Sequence, residues 1–170
     1  MSDWREPIKV LADVIKGEMG LEAGQVMLAF QSWEIPKDDG LYVAISVLSG
    51  KAIGNNNYLE DAGAGLANEI QQIAMTEMVQ IDVMSFNSDA RARKEEILMA
   101  LASQRCLRAQ ADYSFQIAGM PQGFANASSL EETKYLNRYT TTLIIKSIKT
   151  KTKTAEFYDT FDTTEVHSNE

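Results

Sequence analysis

From Glu69 to Phe86 the chain alternates: Ile73, Met75, Val79, Ile81 and Val83 fall on one parity, Gln72, Thr76, Gln80 and Asp82 on the other. A period of two places these sets on opposite faces of an extended strand. Globular strands usually run about 5–6 residues, so this run predicts a strand that outreaches its own domain and is built for a neighbour. Leu41–Leu48 predicts a second strand, with Leu41, Val43, Ile45 and Val47 on one face. Tyr135–Glu156 predicts a third long strand, in which Leu143 and Ile145 oppose Ile144 and Ile148 in parity. Past Ile148 its pattern becomes strict: Lys149, Lys151 and Lys153 against Thr150, Thr152 and Thr154. Tyr113–Ala118 alternates over a shorter span and predicts a short strand.

Helical spacing appears twice. Ile8, Leu11, Ala12, Ile15 and Met19 trace one face of a helix over Pro7–Met19, where a proline is tolerated in the first turn because its missing N–H would be unpaired anyway. Gly17 and Gly20 are expected to loosen its end. Asn87 or Ser88 offers a cap for a second helix with Ala90, Ile97, Leu98, Leu101 and Ala102 inward and Arg91, Arg93, Lys94, Glu95 and Glu96 outward, ending between Ser103 and Leu107. Leu21–Phe30 is open between a short helix and a strand. Gln31–Gly40 and Gly119–Ser129 read as loops. Ser49–Asn68, rich in Gly, Asn and Asp, predicts a long flexible tip joining the first two long strands as an antiparallel hairpin.

Composition narrows the function classes. A chain of 170 residues with 45% hydrophobic positions is about one domain with a real core. A net charge of −8 argues against a protein that wraps phosphate backbones. With neither a basic-then-apolar leader nor a run of 18 apolar residues, the expectation is a soluble, non-secreted chain without membrane contact. The single cysteine, Cys106, reads as a small core residue suited to a reducing compartment. The single histidine, His167, supplies neither a His-rich zinc site nor a catalytic triad.

Local motifs do not restore an active site. Ser49-Gly50-Lys51-Ala52 lacks the hydroxyl residue of a phosphate-binding loop, and Ile45 stands where its first glycine belongs. Gly63-Ala64-Gly65-Leu66-Ala67-Asn68 precedes a strand, whereas a dinucleotide fingerprint precedes a helix. The adjacent carboxylates Asp38-Asp39, Glu95-Glu96 and Glu131-Glu132 point in different directions and read as solvated surface. An enzyme would need carboxylates from separate positions, such as Asp82 and Glu69, to converge on a metal. The expectation is therefore no enzyme, with no catalytic, cofactor or metal residues assigned. The Lys/Thr strand has three readings: an edge guarded by lysines against promiscuous pairing, which is preferred; a stripe facing phosphates; or a partner for the acidic tail of an adjacent subunit.

The order helix, strand, long hairpin, long strand, helix, short strand, loop, long strand resembles the neck or tail-terminator proteins of long-tailed bacteriophages. In that family a Gln-to-Pro segment leads into a Tyr-Val strand start after the first helix; Gln31, Pro36, Tyr42 and Val43 are similar here. Gly54, Ser85-Phe86 and Arg138 also resemble family positions, and the likeness spans about Ile8 to Glu156. The resemblance implies an α+β subunit: a mixed, mostly antiparallel sheet with long strands, packed against two or three helices on one side. A single domain of this kind is expected over residues 1–156; residues 157–170, acidic and without Lys or Arg, read as a flexible tail that, like the Lys/Thr strand, departs from the family.

The resemblance further implies a virion protein of the neck, assembled in the host cytoplasm. As a homohexameric ring it would terminate the tail tube, cap the sheath in contractile tails and join the tail to the head connector or stopper, with DNA as passing cargo in the lumen. Candidate inter-subunit or DNA-channel contacts are Lys149, Lys151, Lys153, Glu77 and Asp82. Two alternatives stand beside it: a head-completion or stopper protein, and a small nucleic-acid-binding module using the Lys149–Lys153 strand.

Overall fold

The computed structural model describes residues 6–28, 34–63, 66–131 and 134–156. The first helix, α1 (Pro7–Met19), has the bounds its apolar spacing predicts, and Val10 and Val14 widen its buried stripe of Ile8, Leu11, Ile15 and Met19. Gly20 stops this helix rather than loosening it. At φ 64° it takes the left-handed conformation that glycine adopts without strain, and both its N–H and that of Leu21 reach the Lys16 carbonyl.

The open segment after α1 contains a strand, β1 (Val26–Leu28), parallel to Val43–Ile45 of the next one. Phe30 and the loop residues Gln31–Trp33 lie outside the described residues. Two long antiparallel strands follow, β2 (Tyr42–Gly63) and β3 (Leu66–Ser85), 22 and 20 residues long. Here the expected flexible tip over Ser49–Asn68 is corrected: the ladder runs on to Gly63 and resumes at Leu66. Glycine and asparagine favour turns locally, but β3 offers a complete template for their backbone N–H and C=O groups, and pairing overrides the local preference. Register shifts at Leu48, Ile53 and Ala62 absorb the irregularities.

The expected single helix after β3 is three pieces, α2 (Asp89–Arg93), α3 (Glu96–Ala102) and α4 (Gln104–Asp112). Ser103 divides the last two because its ψ of 155° is extended; its Oγ then caps α4, accepting from the Cys106 N–H at 3.1 Å. The start of α2 is held from the preceding strand. The Ser85 hydroxyl accepts from the Ala90 N–H and donates to the Asn87 carbonyl, both at 2.9 Å, while Asn87 Oδ1 accepts from the Asp89 N–H. The short strands β4 (Phe115–Ile117), β5 (Ala125–Asn126) and β6 (Ser129–Glu131) all pair with β7 (Lys134–Glu156), 23 residues long.

The sheet order is β1-β2-β3-β7-β4, with only the β1–β2 pair parallel. Odd-numbered residues of β3 and β7 face the helices: Val79, Ile81, Val83, Leu143 and Ile145 share one core with Leu11, Ile15, Ile97, Leu101 and Cys106. A smaller cluster of Met27, Tyr42, Ala44, Met84 and Leu136 covers one end of the opposite face. The fold is α+β, a mixed and mostly antiparallel sheet with its helices on one side.

The core covers only one end of the long strands. Along β7, Thr141, Leu143, Ile145 and Ser147 are buried while Thr142, Ile144, Lys146 and Ile148 are exposed, and along β2 every residue from Val47 to Gly63 is exposed. The last pair supported by β4 is Phe115 with Ser147, which lies opposite Met75. Beyond that row only β2, β3 and β7 continue, from Ala74 to Leu66 on the central strand. Eight residue steps at a rise of ~3.3 Å carry this three-stranded arm about 26 Å past the core.

Candidate functional site

The arm is the part of the molecule whose form the core does not explain. Its central strand has neighbours on both sides, yet its outer strands each keep an open edge. Among the described residues no outer strand pairs with β2 from Ser46 to Gly63, and none pairs with β7 from Ile148 to Glu156. Rows of unpaired backbone donors and acceptors are templates for another strand, which isolated proteins normally cover or shorten.

The register orders the side chains. On the face continuous with the helix side stand Leu59, Glu69 and Lys153 in one row, Asn57, Gln71 and Lys151 in the next, then Asn55, Ile73 and Lys149. A shallow concavity crosses the last two rows. The other face carries Tyr58, Ile70 and Thr152, followed toward the core by the exposed apolar side chains of Ile148, Ile144 and Met78. Ile70 is buried even here, shielded by its neighbours on the outer strands.

Glu69 sits at the polar end of this ladder. Its Oε1 accepts from the amides of Gln71 and Asn57, both at 2.9 Å. Those hydrogen bonds, Gln71 first, together with the nearby charges of Lys153 and Lys151, hold its carboxyl below the ordinary carboxylate range. The arm thus fixes an ionised carboxylate one strand away from its lysines. Charge is polarised across the arm: Lys149, Lys151 and Lys153 line the β7 edge, while Glu60 and Asp61 stand on the β2 edge near the tip.

Of the sequence candidates, the structure brings the three lysines together on one face and one edge. Glu77 lies on the same face nearer the core, opposite Ile145 and over Gly50. Asp82 is placed elsewhere. It lies on the opposite face, 3% exposed, and its carboxylate accepts from Arg138 Nε at 3.1 Å, Arg138 Nη2 at 2.9 Å, Gln80 Nε2 at 2.8 Å and Thr140 Oγ1. This cluster ties β3 to β7 within one chain. Asp82 and Glu69 do not converge: thirteen residue steps along β3 separate them by about 43 Å, on opposite faces.

Cys106 is fully buried, and burial pushes its thiol up despite the nearby Gln110 amide. Among the described residues no three His, Cys, Asp or Glu side chains gather where they could share a metal ion, and no helix is long and apolar enough to cross a membrane. Reading the sequence for function missed the β2 edge with Glu60 and Asp61, because the Gly- and Asn-rich segment around them carries a turn signature. The available signal was the length of β3, which requires a partner along its whole extent. No protein-family profile matches the chain, and no curated protein matches it.

Proposed function

We propose that this chain is a structural subunit of a phage virion that closes into a ring at the head-proximal end of the tail, ends tube growth and joins the tail to the head connector. The observation that carries the assembly part is the arm: two open strand edges held about 26 Å beyond the core by three continuous strands. A monomer gains nothing from displaying such edges, whereas a closed ring consumes both. The tail assignment rests on the resemblance in element order and on Pro36, Tyr42, Val43, Gly54 and Arg138.

The nucleic-acid-binding alternative receives less support. Its lysines form a single file with Glu69 beside them, on a chain of net charge −8. An acidic subunit suits a channel that must let DNA pass without gripping it. Negative-stain imaging of the purified protein, alone and mixed with tail tubes, tests the proposal. Rings capping tube ends are the expected result; a lasting monomer that ignores tubes overturns it. Rings that bind the connector and leave tube ends bare would assign the chain to the stopper class instead.

A further inference from the structure

The two open edges differ in charge, and that difference selects how copies join. A symmetric joint between two β7 edges would set Lys151 and Lys153 against the same residues of the second copy. A symmetric joint between two β2 edges would do the same with Glu60 and Asp61. Like charges placed across neighbouring strands oppose pairing, and opposite charges favour it. The lysines that discourage a second β7 edge are complementary to Asp61, which shares their face, while Glu60 stands on the opposite face.

Direction follows from strand count. β2 is antiparallel to β3, and β3 to β7, so β2 and β7 run the same way. Rotation about a ring axis preserves that direction from copy to copy. A head-to-tail joint between three-stranded arms is therefore parallel, whereas the ladders inside each arm are antiparallel. Within one arm the strands that carry Lys153 and Asp61 are kept about 10 Å apart by the intervening β3, at ~4.8 Å per strand spacing. The two residues occupy the same face, two rows of register apart, since Lys153 shares a row with Leu59. Placed on adjacent strands at equal height they become diagonal neighbours at about 7–8 Å between backbones, within reach of a lysine side chain. The stagger of a closing barrel brings them closer still when it moves the acidic edge toward the core.

We propose that the open β7 edge of one copy, bearing Lys151 and Lys153, pairs in parallel with the open β2 edge of the next, bearing Glu60 and Asp61. Repetition closes the arms into one continuous sheet. This joint rests on the ring reading above but is separable from the tail assignment, because it concerns only how copies of this chain meet.

Cysteine cross-linking of the full chain with a short bis-maleimide, which spans the diagonal separation, tests it. Asp61→Cys and Lys153→Cys together, treated with that reagent, should give a ladder of covalent multimers on a denaturing gel, whereas either substitution alone should give none. A dimer from Lys153→Cys alone would show a symmetric joint and overturn the proposal. So would the absence of a ladder, whether the unmodified protein is an oligomer or stays monomeric at every concentration by light scattering. A charge swap gives an independent readout if the cysteine variants fold poorly. Lys153→Glu should weaken assembly severalfold, and adding Asp61→Lys should restore it; an unchanged oligomer in the first variant, or no rescue in the second, overturns the joint. If the ladder forms but rings ignore tail tubes, the tail reading falls and the joint stands; if rings cap tubes without a ladder, the reverse holds.

Discussion

Removing Arg138 should destabilise the fold more than removing Asp82, although both delete the same ion pair. The side chain of Asp82 is 5% exposed and that of Arg138 40%. Arg138→Ala strands a buried carboxylate with only the Gln80 amide and Thr140 hydroxyl to hold it. Asp82→Ala instead leaves a guanidinium that already reaches water, and two half-buried partners that reach it with small movements. Breaking a fully buried pair costs about 3–5 kcal/mol. The exposed side of this pair reduces the figure, so we expect about 3 kcal/mol for Arg138→Ala and about 2 for Asp82→Ala. The double variant should cost less than the sum of the two, by roughly 1–2 kcal/mol, as contacting residues do in such cycles. Urea unfolding followed by circular dichroism at one fixed protein concentration measures all three, since assembly makes apparent stability concentration-dependent. At a slope of about 2 kcal/mol per molar urea, the Arg138→Ala midpoint falls by about 1.5 M. An Arg138→Ala cost below about 0.5 kcal/mol, or an Asp82→Ala cost exceeding it, would refute the assignment of Asp82 as the buried partner that sets the penalty.

Three other outcomes are expected. Ser103→Ala removes the cap of α4 and should lower stability by about 1 kcal/mol, with Ser103→Thr retaining most of it; equal loss in both variants would point to crowding instead. Ser147→Ala should leave stability unchanged or raise it by up to about 1 kcal/mol, because among the described residues Ser147 Oγ is buried without a hydrogen-bond partner; a clear loss of stability would mean that the hydroxyl has a partner. The forked hydrogen bond from Arg93, which also reaches the Met19 carbonyl, holds the Glu96 carboxyl below its ordinary 4.5. Its folded value being lower, Glu96 stabilises fully above the unfolded pKa and loses that contribution as pH falls through the folded one. For a pair this exposed the effect is about 0.5 kcal/mol; Glu96→Gln should flatten the acid limb of the melting-temperature profile, and an unaltered limb would contradict the linkage.

What the sequence disclosed follows from which forces were local. The bounds of α1, the course of β3 and the length of β7 were legible because one periodic set of side chains meets one core. The breaks at Lys94-Glu95 and Ser103 were not, since the apolar spacing from Ala90 to Ala102 continues across the first and only backbone geometry marks the second. The second half of β2 was hidden for a different reason: its residues are turn-formers, and only the distant strand that pairs with them makes them extended. Asp82 was visible as a polar residue in an apolar run, but its partner lies 56 residues away, and nothing near it in sequence announces Arg138. The candidate arm was thus half legible, with its basic edge foreseen and its acidic edge concealed.

The two ladders of the arm close from opposite ends. In the β2–β3 hairpin the nearest residues in sequence are at the tip, Gly63 with Leu66, so that ladder can start at its turn and grow toward the core. Between β3 and β7 the nearest pair is at the base, Ser85 with Asn137, and the farthest is Leu66 with Glu156, 90 residues apart. Pairing over long loops is the slow part of folding. The distal end of β7 is therefore the last piece of the arm to be laid down and the first to peel away, and the lysine edge comes into being only after the acidic edge has already formed.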